Sequence, residues 1–301
     1  MKRITEMMTN IAFILATLVL SASAIELRGE SSMVYPWVVV ILVLIVIGLL
    51  TVLLVEIVIV YKVVRLGGVP CRSIWLGQLL LVAITLSYLS LITFVFKPTR
   101  VTCNIIRFSI GFCYILMQSV LLVKVLLILS PKTQAGFLKL GHQVLILGLI
   151  ICVQVIINVE WLFLEDSQSP PSLTNDARRC QPVHLSKFFY DIIASFTYIF
   201  LVGLVIVSIT VKTYTSMRKA DEKPNAEAKW ILITSCVTSA VWLVWIAVGA
   251  LLPFPESAVA ALAVGLWVTA TITLLIMFVP KLHKLATLKD GGKTTAMVLY
   301  E

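Results

Sequence analysis

The chain has 301 residues, of which 60% are apolar and 13% charged, against about 45–50% and about 25% in soluble domains. A water-soluble core of this size has no room for that excess, so the natural solvent is a bilayer and a soluble enzyme is excluded. The net charge of +9 would suit nucleic acid in a soluble protein, but here its distribution follows membrane topology and argues against a nucleic-acid partner.

In chain order, Lys2 and Arg3 precede a short apolar run, Ile11 to Leu20, and then the small residues Ser21-Ala22-Ser23-Ala24. This is the layout of a signal peptide cleaved after Ala24, with a retained short anchor as the alternative. Seven long apolar runs follow, near 37–61, 74–96, 103–129, 142–164, 187–212, 229–252 and 257–280. Turn chemistry separates them, at Gly67-Gly68-Val69-Pro70, Lys97-Pro98, Ser130-Pro131, Pro170-Pro171, Lys223-Pro224 and Pro253-Phe254-Pro255. Each run reaches the ~20 residues of a membrane helix. None alternates with period two, and lipid satisfies no backbone polar group, so helices are expected. The fold class is therefore all-α, a polytopic bundle of seven transmembrane helices. The expected organisation is a signal peptide at 1–24, a short extracellular segment at 25–36, the seven-helix domain at 37–282 and a cytoplasmic tail at 283–301.

With the N-terminus outside, the inner segments carry fourteen Lys and Arg residues and the outer segments six. That bias predicts N-out and C-in, consistent with a signal peptide and a plasma-membrane location. No Gly-x-Ser-x-Gly, His-Glu-x-x-His or phosphate-cradling loop occurs, and His142, His184 and His283 fall at different spans. No cofactor and no enzymatic activity are expected. The six cysteines include no Cys-x-x-Cys pair.

A few polar and aromatic residues stand out against the apolar background. Cys103 opens the third span and Cys180 lies in the second outer loop, both on an oxidising face where a bridge is chemically permitted. Lys124 lies about 30 Å below Cys103 along a helix, at the inner hydrocarbon edge. Glu227 starts the sixth span at the same depth. Either the two pair, or Lys124 snorkels and Glu227 is solvated. Arg107, Glu160 and Asp191 lie near outer span ends and either line an outer pocket or sit at headgroup level. Glu56, in the inner third of the first span, is either a proton-relay group or a partner for an inner basic residue. Trp242, Trp245 and Trp267 lie within the sixth and seventh spans, as core or pocket lining, and Trp230 fits an interfacial belt.

Four stretches resemble class C G-protein-coupled receptors, in the right order and on the right faces. Thr102-Cys103-Asn104-Ile105-Ile106-Arg107-Phe108 with Gly111-Phe112-Cys113 is similar to the start of that family's third helix. Asn225-Ala226-Glu227-Ala228-Lys229-Trp230-Ile231 resembles its sixth-helix entry, Phe278-Val279-Pro280-Lys281 its seventh-helix ending, and Cys180-Gln181 its bridging loop. The resemblance covers roughly residues 37–285. It implies a Cys103–Cys180 disulfide, a Lys124–Glu227 lock that favours the resting state, and Trp242 at the floor of a bundle pocket. It also implies coupling to a heterotrimeric G protein, frequent homo- or heterodimers, and an unknown small-molecule, lipid or protein ligand. The large outer ligand-binding domain and cysteine-rich linker of metabotropic glutamate receptors are missing from this sequence. The short outer segment, Val159-Glu160-Trp161 and Trp242-Leu243-Val244-Trp245-Ile246 are closer to the retinoic-acid-inducible orphan receptors, with the bride-of-sevenless receptor as a cousin. The expected function is an orphan class C-like receptor. A small seven-span transporter, or a scaffold with the receptor fold that does not couple, is the alternative. The chain lacks the three-helix repeat that such transporters usually carry.

Overall fold

The computed structural model describes residues 29–30, 33–34, 36–65, 71–96, 100–129, 139–167, 185–219, 226–251 and 255–287. Two two-residue strands, β1 (Gly29–Glu30) and β2 (Met33–Val34), pair antiparallel ahead of the first helix. Seven helices follow: α1 (Pro36–Arg65), α2 (Cys71–Ser90), α3 (Arg100–Leu129), α4 (Leu140–Ser167), α5 (Leu185–Lys219), α6 (Ala226–Leu251) and α7 (Pro255–Thr287). All seven are long and apolar enough to cross a membrane. The expected signal peptide lies outside the described residues.

Pro36 and Pro255 open α1 and α7, where the missing N–H has no helical partner to lose and the fixed φ suits the first turn. The sequence places the second span as one run to 96, whereas α2 stops at Ser90 and continues as a 3-10 turn over Leu91–Phe94. The seventh run is expected to end at 280, yet α7 carries Pro280 in its interior and runs on to Thr287. A proline is tolerated inside a membrane helix because its neighbours re-satisfy the freed backbone groups. α5 likewise extends to Lys219, because a helix need not stop where the hydrocarbon does.

Burial ranks the helices. The membrane-length stretch of α3 is 72% buried and that of α4 only 11%, so α3 is the central post and α4 a peripheral stave. Val120, Val123 and Val125 of α3 are all buried, whereas Val144, Leu145, Leu149 and Ile156 of α4 are exposed. An apolar face of this kind is suited to lipid.

Polar ties between helices replace the hydrophobic drive that lipid cannot supply. Trp75 Nε1 of α2 donates to Gln143 Oε1 of α4 at 3.1 Å. Asn158 Nδ2 of α4 donates to the Phe108 carbonyl of α3 at 3.2 Å, and Gln154 Nε2 donates to Asn158 Oδ1 at 2.9 Å. Tyr88 Oη of α2 meets Thr271 Oγ1 of α7 at 2.8 Å. Trp267 Nε1 of α7 donates to the Leu44 carbonyl of α1 at 2.9 Å. Two glycines permit the closest approaches. A Cβ on Gly48 would lie 2.6 Å from the Tyr88 ring, and one on Gly265 would lie 2.5 Å from the Trp245 ring. These contacts gather α1, α2 and α6 onto α7.

Candidate functional site

The bundle core contains two clusters, separated along α3 by the ten residues from Tyr114 to Lys124, about 15 Å of helix. We call the end bearing Lys124 the inner end, following the charge bias.

Toward the outer side lies an aromatic floor. Tyr114 of α3 packs edge-on to Phe196 of α5, with ring centroids 4.9 Å apart, and to Trp242 of α6, at 5.2 Å. Phe196 in turn meets Trp245 edge-on at 5.5 Å. Edge-to-face geometry sets the positive ring edge on the negative face, which orients these rings as well as burying them. Tyr114 Oη stands 3.5 Å from Thr269 Oγ1, so α7 also reaches the floor. Seven residues before Tyr114, and so on nearly the same face of α3, is Arg107, only 4% exposed. A buried cation thus stands two turns above an aromatic floor.

The other expected pocket residues divide. Trp242 and Trp245 join the floor. Trp267 does not: it precedes Thr269 by two residues, about 200° round the helix, and is spent on the α1–α7 tie. Glu160 is exposed on α4, unlike Arg107. The Asp191 side chain lies outside the described residues.

At the inner end α3, α6 and α7 converge on one carboxylate. Lys124 Nζ lies 3.4 Å from Glu227 Oε1, and Lys281 Nζ lies 2.6 Å from the same oxygen. The Lys124 side chain is 8% exposed, Glu227 20% and Lys281 31%. Glu227 falls in the first turn of α6, where the helix dipole favours a negative group. Two ammonium groups and a helix N-terminus are thus among the carboxylate's stabilising neighbours. Lys281 was not among the candidate residues. Its signal was present in the sequence: it directly follows Pro280 at the inner edge of the seventh span, at the same depth as Glu227.

Glu56 of α1 meets the side chain of Gln78 on α2, so its identified partner is an amide. Cys113, Cys152 and Cys236 are free thiols. The expected Cys103–Cys180 bridge lies outside the described residues, since neither the Cys103 side chain nor Cys180 is among them. No group of three or more His, Cys, Asp or Glu gathers among the described residues. The arrangement is suited to holding helices in register.

The family described as the seven-transmembrane sweet-taste receptor of class 3 G-protein-coupled receptors matches residues 32–281. A metabotropic glutamate receptor of Drosophila melanogaster is 27% identical over 217 residues, which are 69% of this chain and 21% of that receptor. The chain thus spans about a fifth of the length of that relative. This family consists of receptors rather than enzymes. The matched stretch runs from just before α1 to Lys281, taking in both core clusters, and the chain belongs to the seven-transmembrane family of class C G-protein-coupled receptors.

Proposed function

We propose that the protein is a plasma-membrane receptor that signals to a heterotrimeric G protein through a shift in helix packing, with no chemistry performed. The observation that carries this reading is the Glu227 carboxylate held by Lys124 of α3 and Lys281 of α7 at one end of the bundle. Closure of that end is the resting state, and parting α3 from α6 opens a cleft for the G protein. The basic bias of the inner segments supports an outside N-terminus and an inside C-terminus. Val159-Glu160-Trp161 and Trp242-Leu243-Val244-Trp245-Ile246 support an assignment to the retinoic-acid-inducible orphan group. The ligand acts on the outer half of the bundle, where Arg107 overlies the aromatic floor, and a Cys103–Cys180 disulfide holds the second outer loop over it.

The test is G-protein activation in cells expressing the chain, normalised to surface receptor, with and without Glu227→Ala. A rise in basal activation is expected. No activation through any G-protein class, by the wild type or the variant, overturns the receptor reading in favour of a non-coupling scaffold.

A further inference from the structure

Glu227 has two cationic partners on two different helices, and they are not equivalent. Both ammonium groups address the same oxygen, but Lys281 is the nearer at 2.6 Å, against 3.4 Å for Lys124. α6 is also fastened to α7 at its other end. Gly265 leaves the notch that the Trp245 ring fills, and Trp245 lies 18 residues, about 27 Å of helix, from Glu227. The α6–α7 seam is thus clasped near both membrane edges. α3 and α6, like α1 and α4 but not α7, carry unsatisfied buried side-chain atoms among the described residues. Gln118 Oε1 of α3, and Ser235 Oγ and Trp242 Nε1 of α6, are buried without a hydrogen-bond partner. Such groups cost free energy in a packed interior, so α3 and α6 have less packing energy to lose when they part.

We infer that Lys281 is the relief partner of the lock: it keeps Glu227 neutralised when Lys124 is withdrawn and so makes opening reversible. This deepens the proposed receptor mechanism and rests on it. Removing one member of a simple buried ion pair strands the other, which is strongly destabilising. With Lys281 in place, Glu227 stays paired on α7 while α3 parts from α6. Without Lys281 the carboxylate loses the cation that would stay with it as α3 parts from α6, and the closed state gains. The two lysines, alike in charge and touching one oxygen, therefore act in opposite directions: Lys124 holds the end shut and Lys281 makes it releasable.

The experiment uses the full chain in lipid nanodiscs carrying fluorotryptophan, with Trp230 as the reporter. Trp230 is half-buried three residues beyond Glu227, and its fluorine signal is assigned by loss in Trp230→Phe. Lys124→Met is expected to raise the released population and Lys281→Met to lower it, each by about fivefold, the low end of usual coupling. Lys281→Arg keeps the charge and should retain the wild-type ratio. Lys281→Gln serves as a second neutral variant if Lys281→Met does not fold. A shift by the neutral Lys281 variants in the same direction as Lys124→Met, or no shift, overturns the inference. A Trp230 signal that Lys124→Met also leaves unmoved overturns the lock itself. Opposite shifts without any change in G-protein activation uphold the relief partner and refute the coupling, so the two readings fail separately.

Discussion

The outer and inner clusters of the core both join α3, α6 and α7, but by different physics. At the outer floor, Tyr114, Phe196, Trp242 and Trp245 are fixed by shape and ring orientation, and the closest approach is a ring seated against a glycine. At the inner end, three helices meet through charge, around one carboxylate. Packing of the first kind is short-ranged and resists gradual displacement, because interiors are close-packed. An ion triad can exchange partners with little change in backbone shape. Under the mechanism proposed above, the floor would pass ligand position on as a change in packing, and the triad would convert this into a choice between two states.

The largest effect on stability is expected from Glu227→Ala, which leaves buried Lys124 without its carboxylate. Removing one partner of a buried pair costs about 3–5 kcal/mol, so the melting point of the purified chain in detergent should fall by several degrees. Gly265→Ala attacks the outer region by shape alone. The new methyl must displace the Trp245 ring, at a cost of about 1–3 kcal/mol typical of overpacking. Thermal unfolding of Gly265→Ala, Trp245→Ala and the double variant should show strong coupling, with the double variant less damaged than the sum of the singles. Insensitivity of Gly265→Ala would mean that the notch is not a clasp.

Smaller effects sharpen the contrast. Tyr88→Phe removes the 2.8 Å contact with Thr271 and should lower stability by about 0.5–1.5 kcal/mol. Tyr114→Phe removes a hydroxyl whose contact with Thr269 is stretched to 3.5 Å, keeps the floor's rings, and should cost less than Tyr88→Phe in the same melting assay. The reverse order would show that the floor depends on hydrogen bonding rather than on ring shape.

The seven spans were legible because each is a continuous apolar run and lipid admits only one local solution for the backbone. Their ends were less so. The 3-10 turn after Ser90 and the continuation of α7 past Pro280 depend on neighbours that a hydropathy pattern does not contain. Lys124 and Glu227 could be matched in depth by counting residues, since rise per residue is fixed. Lys281 escaped because a lysine at the end of a span reads first as a topology signal, and only the convergence of α7 on α6 shows that it contacts a carboxylate. Trp267 reads with Trp242 and Trp245 as a tryptophan within a span, but the phase of α7 turns it toward α1: Thr269, two residues on and about 200° round the helix, is the α7 residue that reaches the floor.

The central claim is that the inner triad sets the balance between resting and signalling states. The most direct measurement is basal G-protein activation, per receptor at the cell surface, for Lys124→Ala, Glu227→Ala and the double variant. Each single variant should raise basal activation, and the double variant should add little to either, because both remove the same interaction. Additive effects, or singles that leave basal activation at the wild-type level, would contradict the claim and leave Lys124 a side chain that merely reaches for the membrane edge.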